Sequence, residues 1–151
     1  MKKLRSGVLV VIFMLSFVAI AQAGLDDFIR RVNAEAKEDI NRFATKLGSQ
    51  FGLPVPRIDD IMKKVPSPAD AFMVLQLGHM SNKPPDTVLP VYHANRDRGW
   101  GAIAKELGIK PGSREFHALK SGNLSFTGQP GSGIQSYEKG KKKKGKGRDR
   151  D

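Results

Sequence analysis

The sequence predicts an all-α fold, a small bundle of about five or six helices followed by a disordered basic C-terminal tail. Three observations carry that expectation. Apolar residues recur at three-and-four spacing, starting with Leu25, Phe28, Ile29, Val32, Ala36, Ile40, Phe43, Ala44, Leu47 and Phe51. Helix start and stop residues bracket the later segments. No segment alternates apolar and polar residues between turn signals, as a half-buried strand does.

Residues 1–23 read as a secretory signal peptide. Lys2, Lys3 and Arg5 form a basic start, Val8–Ile20 is apolar except for Ser16, and Ala21-Gln22-Ala23 supplies the small-x-small cleavage pattern. A spanning helix needs roughly 20 apolar residues, so the run is short for an anchor. The expectation is an exported protein, periplasmic or secreted after cleavage between Ala23 and Gly24. The chain has no cysteine. That excludes lipid attachment at the cleavage site, disulfides and thiol chemistry, and leaves stability to an apolar core.

The helical domain is expected over 24–126. The stripe from Leu25 to Phe51 predicts one long helix, stopped at Gly48 or Gly52, with Pro54 and Pro56 as a rigid connection. Ile58–Val65 reads as a short amphipathic helix. Ser67-Pro68-Ala69-Asp70 is a strong helix start: a hydroxyl cap, a proline where no amide proton is needed, and a carboxylate in the first turn. The following Ala71–Leu77 is apolar nearly all round, which places this helix at the centre of the core, and Met80-Ser81-Asn82 ends it. Pro84-Pro85-Asp86 opens a helix through about Asp97, which Pro90 should bend or delay. Trp100–Leu107, closed by Gly108, and Ser113–Lys120, closed by Gly122, complete the set.

Residues 127–138 have the Gly, Ser, Pro and Gln composition of a flexible linker. Residues 139–151 are low-complexity and charged, the composition of a disordered segment. The whole chain holds 26 basic and 15 acidic residues. Three of the basic ones lie in the leader, and 139–151 alone has eight basic and two acidic. The body at 24–138 is therefore nearly neutral, with fifteen basic and thirteen acidic residues. Lys139, Lys141, Lys142, Lys143, Lys144, Lys146, Arg148 and Arg150 attract polyanions by Coulomb force and counterion release. Outside the inner membrane the expected partners are lipopolysaccharide, phospholipid, acidic polysaccharide and extracellular DNA.

The remaining motifs support weaker expectations. His93 and Asp97 are four apart and could share a helix face, and His79 and His117 could converge on them as metal ligands. That would make a periplasmic metal-responsive or stress accessory protein. Trp100 between Gly99 and Gly101 is expected as a core anchor, with an exposed binding ring as the alternative. Gly131-Ser132-Gly133 lies in the linker rather than at a strand-to-helix elbow, and adjacent Asp59 and Asp60 suit a solvated helix face. The expectation is a non-enzymatic interaction protein with no cofactor.

Ile103-Ala104-Lys105-Glu106-Leu107-Gly108-Ile109 resembles the first helix and turn of helix-turn-helix repressors, which implies a nucleic-acid binder. Pro111-Gly112 and Arg114 depart from that pattern. The larger block Gly99–Lys120, with Gly-Trp-Gly followed by Ile-Ala-Lys and Leu-Gly, is similar to small exported bacterial helical proteins of unassigned function. That resemblance implies export together with a helical body and carries no catalytic residue across.

Overall fold

The computed structural model describes residues 24–133. The expected leader at 1–23 and the tail at 139–151 lie outside the described residues, as does 134–138 of the expected linker. Among the described residues every regular helix or strand element is α-helical or 3-10, so the fold is all-α.

The apolar stripe from Leu25 to Phe51 forms two helices rather than one. Helix α1 covers 24–38 and α2 runs Ile40–Phe51, with Asp39 extended between them (φ −156°, ψ 100°). The Asp39 carboxylate accepts from the amides of Asn41 and Arg42, each at 3.0 Å, and so caps α2. The break resets the phase of the stripe: Ile40, which a continuous helix would bury, is 45 % exposed. This split is why seven α-helices stand among the described residues where five or six are expected. The Lys46–Glu35 ion pair joins the two pieces.

Helix α3 spans Val55–Met62, three residues earlier than its apolar pattern suggests. Pro54 and Pro56 are not a connection but a helix start, because a first turn has no use for their missing amide protons. Helix α4 runs Pro68–Ser81, with Ser67 accepting from the amide of Asp70, and it ends on Asn82 in the left-handed region (φ 54°). Its residues Ala69 and Ala71 through Gly78 are all buried. Phe72 is its hub, with ring centroids 5.1 Å from Phe28, 5.7 Å from Phe51 and 5.4 Å from Phe126.

Helix α5, Pro85–Asn95, begins at its expected start, so Pro90 delays nothing and stays on the exposed side. The Arg57–Asp86 ion pair ties its first turn to α3. At Asn95 (φ −127°, ψ 4°) the chain tightens into a 3-10 turn, Arg96–Arg98. Helices α6 (Trp100–Glu106) and α7 (Arg114–Ser121) follow, the latter capped by the Ser113 hydroxyl.

After α7 the chain folds back over the core as an irregular strap, 123–133. Leu124 is buried, and Phe126 enters the aromatic cluster, 5.1 Å from Phe43. Gln50 holds the strap from below. Its amide nitrogen donates to the Ser125 carbonyl (2.8 Å), and its amide oxygen accepts from the Thr127 and Gly128 amides (3.0 and 3.1 Å). The Gly131 amide donates to the Gln50 backbone carbonyl at 3.3 Å. Thr127, Gly128 and Gly131 of the expected linker are thus bonded to Gln50, and Gly133 is buried against the side chain of Gln76. Gln76 is itself fully buried, and among the described residues neither polar atom of its amide has a hydrogen-bond partner.

Candidate binding cleft

The turn after α5 decides where Trp100 goes. Asn95 donates from its amide to the Val91 carbonyl (3.0 Å) and accepts from Arg98 (2.8 Å), which closes the end of α5. Gly99 (φ 82°, ψ 167°) then turns the chain so that α6 starts with Trp100 beside the helix just completed. The indole stacks on Tyr92 with centroids 5.3 Å apart and planes 22° apart. Tyr92 is 3 % exposed, and burial, followed by the charge of Asp70, pushes its phenol pKa above the ordinary 10.0 against an opposing effect of Arg96.

Trp100 packs against the core, as its expected anchor role requires, but only in part. It is half-buried, packed on the core and also lining a cleft of about 450 Å³ between α6, α7 and the start of α1. That volume lies within the usual range for small-molecule sites. Phe116 and Leu25 supply further apolar lining. Arg98, Lys105 and Lys120 bring positive charge, Asp26 and Glu106 negative charge, and Arg98 pairs with Glu106 at 3.7 Å. The set can stack against a ring or sugar face, accept hydrogen bonds at carboxylates and offer charge-assisted donors.

The metal-ligand set does not assemble. His79 is exposed in the last turn of α4, His93 is exposed on α5 and His117 is exposed on α7. Asp97 sits in the 3-10 turn, so its four-residue offset from His93 no longer means a shared helix face. Among the described residues, no three His, Cys, Asp or Glu side chains come together as a metal would require.

The helix-turn-helix likeness also fails in geometry. Residues 107–113 separate α6 from α7, whereas that motif uses a turn of about 3–4 residues. Ser132, between its two glycines, is occupied within the strap, bonded to Thr127 and to the Gln129 carbonyl. The eight tail cations lie outside the described residues.

Sequence reasoning marked Trp100 and missed the rest of the cleft. Asp26 and Phe116 reach it from helices far apart in the chain, and no local pattern joins them. No family model, curated protein or solved structure matches this chain.

Proposed function

We propose that the protein is an exported, non-enzymatic interaction protein whose basic tail contacts anionic polymers of the envelope or the exterior. The observation that supports this reading is the separation of charge. Residues 139–151 hold eight cations and two carboxylates, while 24–138 is nearly balanced. Each such cation contributes about 1 kcal/mol at an anionic membrane surface, and on a nucleic acid each releases condensed counterions. The strap gives the arrangement a mechanical basis, since it fastens the chain to the core as far as Gly133 and the cationic segment begins six residues later.

The test compares the chain starting at Gly24 with the same chain ending at Glu138, on lipopolysaccharide vesicles and on a DNA duplex. The full chain binds in a salt-sensitive way. If all eight cations engage duplex DNA, the slope of log affinity against log salt approaches about −7. Equal binding by the shortened chain at low salt rules the reading out. The mass of the mature N-terminus after cell fractionation tests export, with Gly24 expected as the first residue.

A further inference from the structure

We propose that docking of α1 on α7 closes the Ala23–Gly24 bond to a signal peptidase, so that the leader is removed only while the first turn of α1 is still free. The inference rests on the export reading and adds an order of events to it.

The nitrogen of that bond belongs to Gly24, and Gly24 is part of helix α1. It is also built into a backbone contact. A Cβ at Gly24 would strike the Ser121 carbonyl, while a Cβ at Gly122 would strike the Gly24 carbonyl and lie 2.6 Å from the Leu25 nitrogen. No side chain fits between these segments. The small-x-small pattern that a peptidase reads lies at Ala21 and Ala23, so the contact with α7, rather than the cut, demands glycine at 24. The residues that follow fix the seat. Leu25 is buried beside Trp100 in the lining of the cleft. Phe28 is buried too, with its ring 5.1 Å from Phe72 at the centre of the core.

A protease needs the chain around its scissile bond accessible and free of other backbone contacts. Hydrolysis adds water across the amide, leaving a carboxylate on Ala23 and an amine on Gly24, and the peptidase holds both residues while it acts. In the folded body Gly24 cannot be held by α7 and by an enzyme at once. Freeing it lifts Leu25 from its place, and the burial of one leucine side chain keeps the open form to about one part in ten or fewer. Where opening is fast, cutting follows the population of the open form. A chain that docks α1 first therefore keeps its leader.

The experiment follows cleavage by purified signal peptidase in non-ionic detergent. The substrates are the folded chain from Met1 and a peptide of residues 1–33, which has the same bond and no α7. The peptide is cut between Ala23 and Gly24, and the folded chain is cut about tenfold or more slowly. Gly122→Ala and Gly24→Ala loosen the contact from either side and bring the folded chain towards the peptide's rate, whereas Gly24→Ala within the peptide changes nothing. Leu25→Ala weakens the same seat without touching either glycine and serves where a glycine variant does not fold. Circular dichroism and the fluorescence of Trp100, the single tryptophan of the chain, check folding. A folded parent cut as fast as the peptide overturns the proposal and leaves the export reading standing. Folded variants that are all cut as slowly as the parent overturn it as well. A peptide left uncut at Ala23–Gly24 overturns the export reading, and this inference with it.

Discussion

Gly122 rests directly on Gly24: a Cβ at position 122 would fall on the Gly24 carbonyl, and a Cβ at 24 would fall on the Ser121 carbonyl. The end of α7 and the start of α1 are therefore joined backbone to backbone. Gly122 is also left-handed (φ 67°), as is Gly52 (φ 68°), but nothing lies within 4 Å of a Cβ at Gly52. Gly52→Ala then measures the backbone cost alone, about 1–2 kcal/mol. Gly122→Ala is expected to exceed it by at least about 1 kcal/mol in denaturant unfolding, through overpacking. Equal losses would show that this contact gives way easily.

The two buried glutamines should respond differently. Gln50→Met leaves the Ser125 carbonyl and the Thr127 and Gly128 amides without their partner, and should cost about 1–3 kcal/mol. Gln76→Met removes an amide that, among the described residues, bonds to nothing in a fully buried position. It should leave stability unchanged or raise it by about 1 kcal/mol. Thermal unfolding of the pair of variants decides the matter, and a large loss for Gln76→Met contradicts the reading.

Asp39 is the joint between α1 and α2. Asp39→Ala removes two capping bonds and should cost about 0.5–2 kcal/mol. Asp39→Asn and Asp39→Ser, which cap equally well, should keep most of the stability. If all three variants melt alike, the cap does not define the joint.

Tyr92 sets an alkaline limit. Its phenol pKa is raised in the folded chain, first by burial and then by Asp70, so the folded state favours the neutral form. Below pH 10 both states keep the proton and stability is unaffected. Above that the unfolded chain ionises first, and stability falls as pH rises through the folded-state value, by at most about 1.4 kcal/mol per pH unit. Tyr92→Phe keeps the ring and should remove this part of the slope. Ultraviolet absorbance of the phenolate gives an independent reading of the same shift.

What was legible in the sequence was local. Ser67, Pro68 and Asp70 announce α4, Ser113 and Gly122 bracket α7, and the continuous apolar run of α4 marks the centre of the core. The split at Asp39 was hidden because apolar spacing continues across it, and the capping carboxylate resembles any other polar residue on a wet face. The strap was hidden for a different reason. Its composition is that of a linker, and what holds it is Gln50, 75 residues before Ser125. The cleft has the same character: Gly99-Trp100-Gly101 stands out in the chain, whereas Asp26 and Phe116 meet it only after folding.

Because Gly133 is pinned beside the middle of the central helix, the point at which the chain leaves the described body has a fixed origin. Residues 134–151, fully extended, would span at most about 60 Å. If the proposed contact of the tail cations with an anionic surface holds, that surface would lie within one or two molecular diameters of the folded body.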